Sequence, residues 1–198
     1  MSSFNNQQTV IITGGATGIG FAVAEQFLER DANVVLNGRT ESKLRAAAER
    51  LRTPDRVAIV AGDITQPETA GRIVDEAVAK FGGVDVLINN AGIFAMKPFT
   101  DYTVDELDGY LGYVRGTFVL TQAAVRRMRE QDTGGVIVNI GTILAHNGVA
   151  GIPSSAPIAA KGGITALTKN LSSELAADNI RINAVAPGVV PTALYGEL

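Results

Sequence analysis

The chain has 198 residues, of which 46% are apolar and 19% are charged, a composition typical of a globular protein with a sizeable core. A net charge of −3 offers no basic footprint for nucleic acid or an anionic membrane, and no apolar run approaches the roughly 18 residues of a membrane span. The absence of cysteine and the single histidine argue against disulfides, thiolate metal sites and a zinc centre, and a cytoplasmic location is the default expectation.

The first predicted unit runs from residue 9 to residue 20. An apolar run at residues 10–12 predicts a strand buried on both faces of a parallel sheet, and the amphipathic run from Gly20 predicts a helix. Between them, Gly14 permits a tight turn, Gly18 lets a pyrophosphate approach the backbone, and Gly20 lets the helix pack close to the sheet. This arrangement predicts a nucleotide site, because a helix N-terminus offers unpaired N–H groups to phosphate. A plain glycine turn in an α/β domain is the alternative interpretation.

Strands and helices alternate along the rest of the chain. Short apolar runs predict further strands at residues 33–37, 57–61, 86–89, 136–140 and 181–186. Helical periodicity predicts the helices between them, at residues 41–52, 67–81, 103–129 and 155–177. The main apolar stripe of the helix at 103–129 includes Val104, Leu107, Leu111, Val114, Phe118, Val125 and Met128.

This alternation predicts an α/β fold in which residues 1–198 form one domain. Right-handed crossovers favour a three-layer, doubly wound parallel sheet of the Rossmann type, with strand order 3-2-1-4-5-6. Ligands of such sheets bind beyond the carboxyl ends of the strands, where the strand order reverses. At that edge we expect the turns that carry Gly14, Asp63, Asn90, Thr142 and Pro187.

The end of the second predicted strand bears on which dinucleotide binds. NAD-binding folds usually place an acidic residue there to hold the ribose hydroxyls, whereas this strand ends in Asn37, Gly38 and Arg39. The Arg39 guanidinium could pair with a 2′-phosphate, which predicts NADP(H) rather than NAD(H) as the cofactor. A solvated surface arginine is the alternative interpretation.

Together these motifs resemble the short-chain dehydrogenase/reductase family over nearly the whole chain. Residues 13–20 look like the family's cofactor motif, Asp63 matches the aspartate that contacts adenine, and residues 89–92 look like its strand-four signature. Residues 187–188 with Thr192 resemble its motif on the nicotinamide side. The resemblance implies a cofactor-binding set of Gly14, Thr17, Gly18, Ile19, Gly20, Arg39, Asp63, Ile64, Asn90, Ala91, Gly92, Lys161, Pro187, Gly188 and Thr192.

The resemblance also implies a reaction, hydride transfer between NAD(P)H and a small-molecule carbonyl or alcohol substrate. The family uses an Asn-Ser-Tyr-Lys set, of which Lys161 matches the lysine. Pro157 stands four residues earlier, where the tyrosine belongs, while Thr142 takes the serine position and Tyr113 the asparagine position. Losing this general acid would cost about 10²–10⁴ in rate, although a proline in the first turn of a helix leaves the fold intact. The predicted catalytic residues are therefore Lys161, Thr142 and Tyr113.

Other side chains could replace the missing phenol. Tyr113, Tyr195 and His146 are candidates, and helix packing or a loop position is the alternative role for each. Lys161 lies on a helix face that we expect to pack on the sheet, where a lysine needs a partner such as a cofactor ribose unless its side chain extends to water. The same face carries Ile164, Thr168, Leu171 and Leu175.

Partners and the end of the chain give two further predictions. Members of the family continue through a helical segment and a seventh strand that is absent here, so that strand six would be an exposed edge. Either the chain is a truncated form or a partner chain covers that edge. The family resemblance implies an oligomer, and the two long helices carry apolar residues off their main stripes, such as Val119 and Ala123. Together these predict a homodimer or homotetramer built on the two helices. Nucleic acid and membranes are not expected partners.

Two functions are compatible with these residues. The first is an NADP(H)-dependent oxidoreductase with an altered or weak active site, which Lys161 and Thr142 favour. The second is a catalytically inactive NADP(H)-binding relative that acts as a sensor or a partner subunit, which Pro157 favours. A Rossmann-like domain for another nucleotide is a third possibility.

Overall fold

Strands and helices alternate in the computed structural model of the protein, which describes residues 7–192. The strands are β1 (Thr9–Thr13), β2 (Asn33–Gly38), β3 (Val57–Ala61), β4 (Val86–Asn89), β5 (Gly135–Ile140) and β6 (Ile180–Val185). The helices are α1 (Gly18–Leu28), α2 (Glu41–Leu51), α3 (Pro67–Phe81), α4 (Val104–Gln131) and α5 (Ser155–Glu174). Every predicted strand and helix is present, with ends that differ from the predicted ones by a few residues.

The strands form one parallel sheet in the order β3-β2-β1-β4-β5-β6. This confirms the predicted α/β fold and its strand order. The order reverses between β1 and β4, which places a crevice at their carboxyl ends. The described residues supply no seventh strand, and β6 pairs with β5 alone among them. Within the same range, no helix combines the length and the apolar character that crossing a membrane requires.

Helices cover both faces of the sheet because its central strands are apolar on both faces. β1 is buried along its whole length, as its continuous apolar run predicted. Ile11 packs in the core cluster that contains Leu120 of α4, while Val10 and Ile12 pack in the opposite cluster with Phe21 of α1. These two clusters confirm the predicted three layers.

Local signals set the ends of the helices near the crevice. α4 begins with a capping box, in which the Thr103 hydroxyl accepts from the Glu106 N–H and the Glu106 carboxylate accepts from the Thr103 N–H. α5 begins after Ser154, whose hydroxyl donates to the Ile152 carbonyl instead of capping the helix. Pro157 is buried in the first turn of α5, where its missing N–H breaks no helical hydrogen bond.

The apolar stripe predicted for α4 is wrong in the N-terminal half of the helix. A Cβ at Gly116 would lie 2.3 Å from the Ile64 carbonyl oxygen, so the helix passes close to the turn after β3 at this point. The residues buried in this part of the helix are Tyr110, Gly112, Gly116 and Thr117, none of which belongs to the predicted stripe. Val119 and Ala123, which lie off the predicted stripe, pack against the core, and Met128 is buried as predicted. The stripe residues that the structure leaves exposed are Val104, Leu107, Leu111 and Phe118.

Candidate functional site

Two adjoining cavities open at the carboxyl ends of the strands. The large cavity has a volume of about 350 Å³ and is lined by the turns after β1, β2, β3 and β4. The small cavity has a volume of about 110 Å³ and is lined by the turns after β4, β5 and β6 and by the first turns of α5. Ile19, Asn90, Gly92 and Thr192 line both cavities, so that one elongated ligand could occupy both.

The predicted binding residues divide between these cavities. Gly20 lines neither cavity and lies behind the first turn. Lys161, Pro187 and Gly188 line the small cavity. The large cavity is lined by Gly14, Thr17, Gly18, Ile19, Arg39, Asp63, Ile64, Asn90, Ala91, Gly92 and Thr192. The structure thus brings the predicted set to one edge of the sheet, while the binding role of each residue stays a prediction.

Hydrogen bonds from the end of β4 hold the turn after β1. The Asn90 side chain donates from Nδ2 to the carbonyl oxygens of Thr13, at 2.9 Å, and Gly14, at 3.2 Å. The Thr13 hydroxyl accepts from the N–H groups of Asn90, at 3.0 Å, and Ala91, at 2.9 Å. Gly14 has a φ of +64°, which L side chains rarely adopt. The floor of the large cavity is therefore fixed by mutual bonds between two turns.

Close packing behind this floor depends on Gly20. A Cβ at Gly20 would lie 2.4 Å from the Gly14 carbonyl oxygen and 2.6 Å from Asn90 Nδ2. Gly18, at the start of α1, lines the large cavity, and the Thr17 side chain at the N-cap does not cap the helix. The first N–H groups of α1 thus have no side-chain cap from Thr17, which suits them to bind an anionic group of a ligand.

Asn37 organises the opposite wall of the large cavity, a role that the sequence analysis missed. This buried side chain donates from Nδ2 to the carbonyl oxygens of Val60, at 3.0 Å, and Gly62, at 3.1 Å. The next turn is fixed by Asp63, whose carboxylate accepts from the Thr65 N–H at 2.9 Å. The available signal was a polar residue at the end of an otherwise apolar strand, since a buried amide needs partners.

Basic residues gather at the end of the large cavity beyond β2. Arg39, Thr40 and Lys43 line it there, at the start of α2. Lys43 was not among the predicted site residues. Its position was a usable signal, because a lysine in the first turn of a helix opposes the helix dipole. The two cations give this end of the cavity the charge that a phosphate group requires.

The small cavity contains three of the four positions to which the family resemblance assigns catalytic groups. Thr142 lines it at the end of β5, and its hydroxyl accepts from the Leu144 N–H at 3.3 Å. Pro157 and Lys161 line it from α5, one helical turn apart. The remaining wall is largely apolar, and its residues Ile93, Phe94, Ile140, Ile158 and Val190 were not predicted.

Lys161 points inward and has a protein partner. Its Nζ donates to the Ile140 carbonyl at the end of β5, so the side chain does not extend to water. Burial lowers the pKa of Lys161 to about 8. The predicted need for a partner is thus met within the protein, by a backbone group that the sequence did not indicate.

A buried chain of polar side chains holds the face of α5 that carries Lys161. Asn89 donates from Nδ2 to Asn139 Oδ1 at 2.8 Å and to Thr121 Oγ1 at 3.0 Å. Asn139 in turn donates from Nδ2 to Thr168 Oγ1 on α5 at 2.8 Å. These bonds join β4, β5, α4 and α5, and the rotation of α5 about its axis is therefore well specified.

The two candidate substitutes for the missing phenol that the structure describes, Tyr113 and His146, do not line the small cavity. Tyr113 lines the large cavity, and the pKa of its phenol is raised chiefly by burial, with Asp63 adding to the shift and Arg39 opposing it. His146 is exposed and lines neither cavity. Tyr195 falls outside the described residues. The catalytic role predicted for Tyr113 stays a prediction, and its position favours contact with a ligand in the large cavity.

Comparisons of sequence agree with this geometry. A family model described as short chain dehydrogenase matches residues 8–198. An uncharacterized oxidoreductase of Staphylococcus aureus strain USA300 is 36% identical over 190 residues, which is 94% of this chain and 80% of that protein. A 3alpha-hydroxysteroid dehydrogenase of Mediterraneibacter gnavus is 36% identical over 196 residues, covering 96% of this chain and 77% of that protein.

Solved structures show the same likeness. A short-chain type dehydrogenase/reductase from Mycobacterium marinum superposes with a TM-score of 0.91 at 30% identity, over 96% of this chain and 75% of that one. L-sorbose reductase from Gluconobacter frateurii, complexed with NADPH and L-sorbose, gives a TM-score of 0.89 at 30% identity, over 94% of this chain and 71% of that one.

Proposed function

The chain belongs to the short-chain dehydrogenase family, and from that premise we propose that it is an oxidoreductase that transfers hydride between NADP(H) and a carbonyl or alcohol substrate. The observation that carries this proposal is the pair of adjoining cavities with Asn90 and Gly92 at their junction. The large cavity suits a dinucleotide, and the small cavity holds Lys161 and Thr142 where the reacting end of that dinucleotide would lie.

The residues of the large cavity fit a dinucleotide. The turn after β1 and the start of α1 line the cavity with Gly14 and Gly18, which carry no side chain, as close approach of a pyrophosphate to the backbone requires. Asp63 and Ile64 supply a carboxylate and an apolar contact on the wall after β3. A bound nicotinamide would supply or accept the hydride in the adjoining small cavity.

Preference for the phosphorylated cofactor is supported by charge. Arg39 and Lys43 lie at the end of the cavity where a 2′-phosphate would be bound, and the lining residues there include no competing carboxylate except Asp63 on the opposite wall. A guanidinium pairs with a phosphate through two parallel hydrogen bonds. The solved structure of L-sorbose reductase, a structural neighbour, contains NADPH, which supports the preference for the phosphorylated cofactor.

In the small cavity, the chain itself supplies a hydroxyl and an ammonium group. The Thr142 hydroxyl accepts from the Leu144 N–H, which leaves its own proton free to donate to a substrate oxygen. Lys161 supplies positive charge in a largely apolar wall. Pro157 supplies neither a proton nor a hydrogen bond at the position where the family carries its phenol.

That last observation favours a second candidate function, a cofactor-binding protein without catalysis. Pro157 replaces an ionisable side chain in the wall of the cavity and leaves the cofactor cavity untouched. Such a protein would bind NADP(H) as a sensor or as a partner subunit.

The experiment that separates these functions has two stages. NADPH and NADH are titrated first, following nicotinamide fluorescence, and tight binding of NADPH is expected. Loss of nicotinamide absorbance is then followed with small ketones, ketoses such as L-sorbose and 3-oxosteroids, the latter two chosen from the names of the relatives. Turnover of any carbonyl supports the enzyme, binding without turnover supports the second function, and failure to bind either nucleotide contradicts both.

We also propose a homodimer or homotetramer through α4 and α5. The support is the exposed apolar side of α4, where Val104 is 73% exposed and Phe118 is 50% exposed. Light scattering at micromolar concentration should show an oligomer for the wild type. The double variant Leu111→Glu, Phe118→Glu should be monomeric with an unchanged circular dichroism spectrum, and a monomeric wild type would contradict the proposal.

A further inference from the structure

We propose that Lys161 is itself the proton donor to the substrate carbonyl oxygen, taking over the step for which the family uses a phenol. This inference rests on the hydride transfer proposed above. It differs from a supporting role for the lysine, in which the ammonium only lowers the pKa of a neighbouring acid, because no such acid lines the small cavity among residues 7–192.

The composition of the small cavity is the first argument. Among residues 7–192, Lys161 is the one titratable side chain in its wall, and the polar groups that accompany it are Asn90, Thr142 and Thr192. The amide and the hydroxyls can donate hydrogen bonds, but they cannot release a proton near neutral pH. A carbonyl oxygen that gains negative charge in this cavity can therefore take a proton from Lys161 or from water.

The placement of the ammonium group is the second argument. One of its three N–H groups is directed to the Ile140 carbonyl, which leaves two for a ligand. A Cβ at Gly92 would lie 3.4 Å from Nζ, so the glycine keeps the space beside the ammonium open where the two cavities meet. The nicotinamide end of a bound dinucleotide would lie at this junction, next to the substrate.

The surroundings of Lys161 tune its acidity toward this role. Burial alone lowers its pKa to about 8. The ionisable groups on the elements that pack against α5 all lie outside the wall of the small cavity. Of these, Tyr110 on α4 packs with residues of α5 itself, namely Ala156 and Ala160. The others are Asp105, Glu106, Asp108, Tyr113, Arg115, Arg126, Arg127, Arg129 and Glu130 on α4, His146 after β5, Asp178 after α5 and Arg181 on β6. A general acid works best when its pKa lies near the working pH, and an ordinary lysine is too weak an acid to do so.

The step balances in atoms and charge. The carbonyl carbon accepts a hydride from the reduced nicotinamide, and the carbonyl oxygen accepts a proton from the Lys161 ammonium as the C=O π bond breaks. A C–H bond and an O–H bond form, the nicotinamide is oxidised, and Lys161 is left as a neutral amine that regains its proton from water. Alcohol oxidation runs the same step in reverse, with the neutral amine as the base.

The test compares Lys161→Arg with Lys169→Arg, an exposed lysine on the same helix. Arginine keeps the positive charge but does not release its proton in the working range. We expect Lys161→Arg to lower kcat/KM for the carbonyl substrate by about 10²–10⁴ when measured at saturating NADPH, and Lys169→Arg to match wild type. In the wild type, kcat/KM for reduction should be constant below about pH 8 and fall tenfold per pH unit above it.

The outcomes separate this inference from the proposed function. Wild-type turnover without that fall above pH 8, or with unchanged kcat/KM in Lys161→Arg, overturns the lysine as donor and leaves the oxidoreductase standing. NADPH binding with no carbonyl reduced at any pH overturns both. The wild-type pH profile decides the matter even if Lys161→Arg does not fold, which circular dichroism would reveal.

Discussion

The two cavities meet at Asn90 and Gly92, yet they are built differently. The large cavity is formed mainly by turns whose backbone groups are cross-linked, as Thr13 and Asn90 join the turns after β1 and β4. The small cavity depends on individual side chains at the ends of β5 and in α5, chiefly Thr142 and Lys161. The proposed cofactor site is therefore part of the fold's own hydrogen-bond framework, whereas the proposed catalytic site depends on single side chains that can be replaced one at a time.

Pro157 illustrates why that freedom exists. The N–H groups in the first turn of α5 have no intrahelical partner, so a proline there costs no hydrogen bond. The phenol that the family resemblance assigns to this position would serve chemistry and not folding. The chain can therefore keep its sheet, its helices and its dinucleotide cavity while its proton chemistry changes.

Restoring the phenol is the sharpest way to test the small cavity. Pro157→Tyr should raise kcat/KM for carbonyl reduction, because the new hydroxyl would lie one helical turn from Lys161, whose charge lowers a phenol's pKa. The gain should fall near the lower end of the ~10²–10⁴ of a positioned general acid, since Lys161 already supplies a proton. Pro157→Phe provides the matched control, and an equal gain in that variant would show that ring packing, not acidity, was responsible.

The large cavity should fail when its floor is crowded. Gly20→Ala places a Cβ 2.4 Å from the Gly14 carbonyl oxygen, which must move the turn that lines the cavity. We expect a loss of about 1–3 kcal/mol in the free energy of unfolding and at least about tenfold weaker NADPH binding. Gly109→Ala on α4, where a Cβ meets nothing within 4 Å, should instead stabilise the protein by about 0.5–1 kcal/mol. Equal urea midpoints for the two variants would contradict this reading of Gly20.

Charge at the far end of the large cavity should decide between the cofactors. Arg39→Ala should weaken NADPH binding by about 10–100-fold and leave NADH binding unchanged, because a charge-assisted hydrogen bond contributes about 1.5–3 kcal/mol. Arg45→Ala removes an arginine of α2 that lies outside the cavity and ion-pairs with Glu41, and it serves as the control. Equal wild-type affinity for NADPH and NADH would refute the preference.

The remaining prediction concerns how the buried charge of Lys161 affects the stability of the protein. The pKa of Lys161 is about 8 in the folded protein and 10.5 when unperturbed, so below pH 8 both states are charged and the folded state bears the full cost of burying the charge. Between pH 8 and 10.5 the unfolded state alone keeps the proton, and stability rises with pH. Lys161→Met should therefore stabilise the cofactor-free protein by about 1–3 kcal/mol at pH 7, less any cost of leaving the Ile140 carbonyl unpaired.

Urea unfolding at pH 7 and pH 10 checks this expectation. The difference between Lys161→Met and wild type should shrink at the higher pH, while Lys169→Met, which removes an exposed lysine, should follow wild type at both. A difference that stays constant with pH would mean that the burial of Lys161 does not disfavour its charge.

Much of the architecture was accessible from the sequence because it depends on local patterns. Continuous apolar runs such as residues 10–12 predicted strands buried on both faces. Because these strands alternate with helices, right-handed crossover connections were expected, and they favoured the strand order that the structure shows. The glycines after β1 identified the turn that lines the large cavity. The sequence also showed the proline at position 157 directly, because the residue four positions before Lys161 can be read without knowledge of the fold.

The tertiary structure alone decided what depends on distant backbone. Periodicity could not reveal which face of α4 is buried, because the helix passes so close to the Ile64 carbonyl that a side chain at position 116 would clash with it. Nor could it show that Tyr113 lines the large cavity or that Lys161 binds the Ile140 carbonyl. The sequence determines residue type and local conformation. Tertiary packing decides which polar groups meet, as with the Lys161 ammonium and the Ile140 carbonyl, which are 21 positions apart in the chain.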